Sequence, residues 1–230
     1  MPDDIIGSNG NDSLSAGDGY LQRVFGLAGD DTLVGGASHY QFLSGGADAD
    51  SLWGGAGYYQ TLSGDAGNDT LVAGEGGYQS LSGGADADSL WGGAADYQTL
   101  NGDAGNDTLV AGSGFNQRVF GGNDDDSLRG STSADWLDGG SGNDTLFGGL
   151  GADTLDGGAG SNDWVSYDAV VVGGVTVDLS AGSSGGIQGI DALTGIENVL
   201  GSNGIDGSGG ADSILGDSLA NILAGGSGND

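Results

Sequence analysis

The chain has 230 residues, of which 54 are glycine, and its formal net charge at pH 7 is −30. It contains three Arg, no Lys and no Cys. A chain this acidic lacks the cations that neutralise phosphate, so nucleic acid is excluded as a partner. The absence of Cys excludes disulfides and thiolate metal sites. No apolar run is long enough for a transmembrane segment, and no apolar h-region follows Met1, so we expect no Sec-type signal peptide.

The chain is built from internal repeats. The sequence GGADADSLW occurs at 45–53 and again at 83–91, and GDAGNDTLV occurs at 64–72 and at 102–110. The two pairs have the same separation in sequence number, and the finer period is half of that separation. Residues 16–129 divide into equal units, each with a ten-residue half and a nine-residue half, and the units after residue 129 consist of two nine-residue halves.

One branched apolar residue falls in each half of a unit, from Leu14 and Val24 through to Leu155 and Val165. This spacing is too sparse for the apolar face of a helix, but it suits three-residue strands whose middle side chain points inward. Glycine-rich turns would reverse the chain between strands. The sequence therefore predicts an all-β fold, a right-handed parallel β-roll (a β-solenoid) with about 18–19 residues per coil, since each coil is close to two nonapeptides.

Aspartate recurs at one position of each nine-residue half, two residues before the apolar residue. The period places these carboxylates in a column on one edge of the roll, about 5 Å apart, where they repel one another. Because the chain has almost no cationic side chains, the neutralising charge must come from solution. Oxygen ligands in a flexible loop favour Ca²⁺ over Mg²⁺. The residues of this column are Asp12, Asp31, Asp50, Asp69, Asp88, Asp107, Asp126, Asp144 and Asp163.

The nine-residue halves resemble the nonapeptide G-G-x-G-x-D-x-U-x of RTX (hemolysin-type) calcium-binding proteins. Examples are GLAGDDTLV at 26–34 and GGSGNDTLF at 139–147, and the resemblance covers 7–163 and resumes at 201–230. It implies a β-roll in which stacked Asp share calcium ions with loop carbonyls, type I secretion, and an extracellular protein that folds on calcium. It adds Asp135, Asp153 and Asp212 to the predicted metal ligands.

The opposite edge differs from this pattern. Its equivalent positions are Gln22, Gln41, Gln60, Gln79, Gln98 and Gln117. A neutral amide replaces a carboxylate poorly in a calcium site, so we expect this edge to lack calcium from 16 to 120 and to regain it after 130. Stacked Gln can hydrogen-bond amide to amide. Tyr precedes four of these Gln, and we expect the rings to stack in a column.

The pattern changes at residue 164. We expect three regions: the β-roll at 1–163, a Val-rich strand insert at 164–200, and a second, truncated repeat block at 201–230. The last residues, GGSGND, stop within a repeat, which suggests a fragment of a longer protein.

Two functions remain open. One is a structural or secretion-folding module of a larger secreted protein. The other is an adhesin-type or carbohydrate-binding module that uses the Tyr and Gln edge, or, less favoured, an ice-binding module that uses Ser and Thr on one sheet. A polysaccharide or cell-surface partner and end-to-end self-association follow as candidate interactions. We expect no enzyme, because the single histidine, His39, has no nucleophile at a fixed spacing.

Overall fold

The computed structural model describes residues 4–167, 176–185, 189–201 and 213–225. Within these ranges the regular structure consists of strands. They are β1 (Asp4–Ile6), β2 (Ser13–Ser15), β3 (Arg23–Ala28), β4 (Thr32–Val34), β5 (Phe42–Ala47), β6 (Ser51–Trp53), β7 (Thr61–Ala66), β8 (Thr70–Val72), β9 (Ser80–Ala85), β10 (Ser89–Trp91), β11 (Thr99–Ala104), β12 (Thr108–Val110), β13 (Arg118–Asn123), β14 (Ser127–Arg129), β15 (Trp136–Ser141), β16 (Thr145–Phe147), β17 (Thr154–Asp156), β18 (Trp164–Ser166), β19 (Thr176–Asp178), β20 (Ser183–Gly185), β21 (Ala192–Thr194), β22 (Asn198–Leu200), β23 (Ser213–Leu215) and β24 (Ile222–Ala224).

The strands form two sheets that face each other across the roll. One sheet has the order β1-β3-β5-β7-β9-β11-β13-β15-β17-β21-β20-β19-β23, and the other has β2-β4-β6-β8-β10-β12-β14-β16-β18-β22-β24. From β1 to β18 each coil contributes one strand to each sheet, and neighbouring coils pair in parallel with a fixed register, such as Leu62 opposite Leu81. The predicted β-solenoid of stacked parallel coils is confirmed, with about nine turns.

The core consists of two apolar columns, one from each sheet. The middle residue of every short strand from β4 to β16 is a fully buried Leu. The facing column in the other sheet runs from Val24 to Leu155 and is also fully buried. Flanking residues point outward because side chains alternate along a strand. The predicted single inward residue per half-coil is thus confirmed, and the core is only two side chains thick.

The longer repeat, which spans two coils, arises from an alternation of Asp and Gly in neighbouring coils. Asp48 has a φ of +78°, a value that usually requires glycine, and its carbonyl lies against Gly67 of the next coil. A side chain at Gly67 would overlap that carbonyl. The same arrangement repeats at Asp86 and Gly105. Each Asp with a positive φ at this loop position therefore requires a glycine in the next coil, and the sequence repeats every second coil.

The roll continues beyond residue 163. Strand β18 pairs with β16 and β22, and β21 pairs in parallel with β17. Leu193 and Val199 extend the two core columns. Strands β19 and β20 form an antiparallel pair beside β21. No helix long and apolar enough to cross a membrane occurs among the described residues.

Candidate metal centre along one edge of the roll

The Asp edge is the column of carboxylates from Asp12 to Asp163, in the loops that lead into the short strands. Each Asp from Asp31 onward accepts a hydrogen bond at Oδ1 from the backbone N–H of the Asp one coil earlier, as from Asp69 N to Asp88 Oδ1 at 2.7 Å. The same bond joins successive coils from Asp12 to Asp163, at 2.7–2.8 Å. These bonds hold every carboxylate of the column in one orientation.

The second oxygen of most of these carboxylates has no hydrogen-bond partner. Oδ2 is buried and unpaired in Asp31, Asp50, Asp69, Asp88, Asp107, Asp126, Asp144 and Asp163, and on the opposite edge in Asp153. A buried carboxylate oxygen without a partner costs free energy, so native proteins pair such groups or bind a cation there. The repetition in coil after coil indicates a common ligand.

Each unpaired oxygen lies over a glycine in its own loop. At Gly64, a Cβ would overlap Asp69 Oδ2 and would lie 2.5 Å from the carbonyl oxygen of Gly83 in the next coil. Gly102 has the same surroundings, formed by Asp107 Oδ2 and the Gly121 carbonyl. The space that a side chain would fill is therefore bordered by a carboxylate oxygen and a carbonyl oxygen from two coils.

The electrostatics of the column also call for a cation. Burial, and then the charges of neighbouring Asp, raise the pKa of Asp69 and Asp88 to about 7 and that of Asp126 to about 8. The same causes raise the pKa of Asp50 to about 6. Near neutral pH the column therefore binds protons in the absence of metal, and a divalent cation would compete with those protons for the same oxygens.

The donor set suits calcium. The available ligands are carboxylate and carbonyl oxygens in loops, which Ca²⁺ accepts in irregular geometry and Mg²⁺ accepts only near octahedral angles. Among the described residues there is no cluster of three or more metal-ligating side chains. An ion at this edge would therefore be held by backbone carbonyls as well as by the stacked Asp.

Two of the predicted ligands lie in a different environment. Asp12 Oδ2 accepts bonds from the N–H and hydroxyl of Ser8, at 2.6 and 2.9 Å. Asp135 Oδ2 accepts the same pair from Ser131, both at 2.7 Å. In the loops with an unpaired Oδ2 the equivalent second residue has a positive φ, as at Asp65 (+76°). Asp212, also predicted as a ligand, lies outside the described residues.

The comparison with known families agrees with this geometry. The sequence profile of the RTX calcium-binding nonapeptide repeat (4 copies) matches residues 2–19, 23–39, 42–58, 61–77, 80–96, 99–117, 112–146, 120–155 and 129–163. The chain belongs to this family. No curated protein matches the chain at a significant level. RTX repeats bind calcium and form a structural family, not a family of enzymes.

Two acidic residues that were not predicted from the sequence, Asp191 and Glu197, continue the carboxylate columns beyond Asp153 and Asp163. Glu197 Oε2 accepts the N–H of Asp163 at 2.9 Å, and Asp191 Oδ1 accepts the N–H of Asp153 at 3.0 Å. Asp191 Oδ2 is satisfied by the hydroxyls of Tyr167 and Ser184, at 3.1 and 2.8 Å. A signal was present, because both acidic residues stand two positions before a core residue, as every Asp of the column does.

The Gln edge is closed by side-chain amides. Gln60 Oε1 accepts the N–H of Gly55 at 2.7 Å, and its Nε2 donates to the Gly36 carbonyl at 3.2 Å and to Gln41 Oε1 at 2.9 Å. The predicted amide-to-amide bond is thus confirmed at Gln60. Gln79 Nε2 instead donates to loop carbonyls. The amides of Gln41, Gln60, Gln79 and Gln117 donate to loop carbonyls of an earlier coil, so these loops are linked without a cation, whereas Gln98 Nε2 is buried without a partner.

The predicted tyrosine column is confirmed. The rings of Tyr40, Tyr59, Tyr78 and Tyr97 stack with centroids 5.0–5.1 Å apart and planes within 16°. All four side chains are about half exposed. His39 accepts the backbone N–H of Tyr58 at its Nδ1 and contacts the Tyr58 ring edge to face. This contact gives His39 a structural role in the loop stack.

Proposed function

We propose that the chain is a calcium-folded β-roll that serves as a structural and secretion-folding module of a larger secreted protein. The column of buried, unpaired Asp Oδ2 atoms supports this proposal most directly. Without metal the column must bind protons or repel itself, and the formal charge of −30 favours an expanded chain. Calcium would bind the folded chain and not the unfolded one, so binding and folding are coupled.

The ions would lie between stacked loops of the Asp edge. We assign them to the loops of Asp31, Asp50, Asp69, Asp88, Asp107, Asp126, Asp144 and Asp163, with Asp153 on the opposite edge. Calcium supplies the positive charge that the chain lacks. The Asp N–H groups orient the carboxylates, and the first glycine of each loop leaves the space open. We assign no ion to the Ser-capped loops of Asp12 and Asp135.

The place of action proposed here is extracellular. Extracellular calcium modules bind with affinities of about 10⁻⁴–10⁻³ M. A chain with such sites stays unfolded at low cytosolic calcium and folds outside the cell, which suits type I secretion from a Gram-negative bacterium. We further propose that 1–163 is the main roll, that 164–200 is a strand-rich insert whose strands β18, β21 and β22 extend the two sheets of the roll, and that 201–230 is a second repeat block.

A second candidate function is binding at the Tyr and Gln edge, as in an adhesin or carbohydrate-binding module. The exposed stack of parallel tyrosine rings supports it. The ice-binding alternative has less support, because the hydroxyls of Ser44 and Ser63 both donate to Asp65 and are not free to order water. End-to-end association of rolls through their open strands is a further proposal.

A calcium titration followed by circular dichroism tests the main proposal. The chain starts in chelator at pH 7.5, and we expect a coil-to-strand transition near millimolar calcium that equal magnesium does not produce. A chain already folded in chelator, or one that folds equally well with magnesium, would contradict calcium-driven folding.

A further inference from the structure

The tyrosine column ends at a cavity. In the coils after Tyr97 its position is taken by Asn116, Ala134 and Ala152, so the column of rings gives way to small side chains. All of these residues line a cavity of about 540 Å³. The coil also shortens here, because the ten-residue half gives way to a nine-residue half after residue 129. One face of the Tyr97 ring packs on Tyr78, and the other has no ring partner among the described aromatic pairs.

The wall of the cavity adds an aromatic ring and a cation. Trp136 is 42% exposed, and the Arg118 guanidinium lies 5.2 Å from the centre of its ring. Arg118 forms no ion pair with the described residues. The one salt bridge among those residues joins Arg23 and Asp4. The other polar residues of the lining are Gln98, Thr99, Asn116, Gln117, Asp135 and Thr154, and both oxygens of Asp135 are already hydrogen-bonded within the protein. The cavity thus combines the exposed rings of Tyr78, Tyr97 and Trp136 with amide, hydroxyl, carboxylate and guanidinium groups.

We propose that this cavity, referred to here as the Tyr97 cavity, binds a neutral pyranose unit of a glycan. A pyranose has a face of C–H groups, which packs on the negative face of an aromatic ring. Its rim carries hydroxyls, which both donate and accept, and the amides and the guanidinium match them. The volume lies within the range of ligand-binding pockets. An anionic ligand is disfavoured because the chain carries a net charge of −30.

The column offers matched variants for a test. Tyr97→Ala removes the ring at the end of the column, whose unstacked face borders the cavity. Asn116→Tyr extends the column into the cavity, and the φ of Asn116 (+55°) is close to that of the four tyrosines (+58°), so the backbone accepts the change. Tyr59→Ala is the control, because Tyr59 has similar exposure but is covered by rings on both faces.

The experiment is a calorimetric titration of the folded chain, in about 10 mM calcium, with cellotetraose, laminaritetraose and maltotetraose. We expect at least one to bind, and we expect Tyr97→Ala and Asn116→Tyr to weaken it by about tenfold or more while Tyr59→Ala leaves it unchanged. No binding of any of the three, equal loss in Tyr59→Ala, or full binding by Asn116→Tyr would overturn the proposal. Circular dichroism in calcium verifies that each variant is folded, so this result is independent of the test for calcium-driven folding.

Discussion

Asp88 and Asp135 show how one side-chain type serves two purposes in this roll. Asp88 leaves a buried oxygen without a partner, whereas Asp135 has both oxygens bonded, to Gln117 N and to the N–H and hydroxyl of Ser131. The difference lies in the second residue of the loop. A serine there donates to the carboxylate, and a residue with positive φ does not.

This difference predicts a contrast between two variants. Asp88→Asn should remove one calcium ion and lower the free energy of unfolding in about 10 mM calcium by about 1.5–3 kcal/mol, the contribution of one site of 10⁻⁴–10⁻³ M affinity. Asp135→Asn should leave the ion count unchanged. Urea unfolding and metal analysis of the dialysed proteins measure both effects. An equal ion loss in the two variants would contradict our assignment of ions to the loops.

The glycine under each carboxylate gives a second prediction at this scale. Gly64→Ala places a methyl group against Asp69 Oδ2 and the Gly83 carbonyl. We expect it to destabilise the calcium-loaded roll by about 1–3 kcal/mol through overpacking and to raise the calcium concentration at half-folding. Gly10→Ala is the control, because a Cβ there has no atom within 4 Å. If the calcium midpoint of Gly64→Ala matches that of the control, the space over Gly64 is not an ion site.

At the scale of the elements, the two edges connect the same strands by different means. The loops of the Asp edge bring oxygen atoms together, and they require a cation. In the Gln edge the side-chain amide itself donates the hydrogen bonds, since Gln60 Nε2 donates to oxygens of the preceding coil. A longer connection, in the ten-residue half, accommodates the larger side chain. We therefore expect the Gln edge to need no cation in the folded roll.

Two glutamine variants test the role of that donor. Gln60→Glu removes the bonds to Gly36 and Gln41, while Gln98→Glu removes none, because Gln98 Nε2 is buried without a partner. Both variants introduce a buried acid. At about 0.5–1.5 kcal/mol per hydrogen bond, Gln60→Glu should be the less stable by about 1–3 kcal/mol in urea unfolding. Equal stability of the two variants would show that the amide donor contributes nothing.

For the whole molecule, the raised pKa values predict how the metal-free chain responds to pH. Folding raises the pKa of Asp69, Asp88 and Asp126 from the ordinary 3.8 to about 7, 7 and 8. The folded chain therefore binds more protons than the unfolded chain between about pH 4 and 8, so the free energy of unfolding falls as pH rises. In chelator, the strand signal should increase from pH 8 to pH 5.

Calcium should weaken this trend. Because protons and calcium compete for the same oxygens and both favour the folded chain, the calcium concentration needed for half-folding should fall as pH falls from 8 to 6, and the pH dependence should disappear at saturating calcium. Circular dichroism at fixed pH values, with the chain kept dilute, measures both trends. A metal-free chain whose strand signal is lost on acidification would contradict this account of the Asp column.

The repeat in the sequence determined the coil, the two core columns, the carboxylate column and the tyrosine stack. These features follow from side-chain spacing alone, because parallel coils of constant length place equivalent residues above one another. The capping of Asp12 and Asp135, the addition of Asp191 and Glu197 to the columns, and the Tyr97 cavity were decided by the tertiary structure. They depend on backbone dihedrals, on where the chain returns after strand β18, and on which side chain of the neighbouring coil meets each loop.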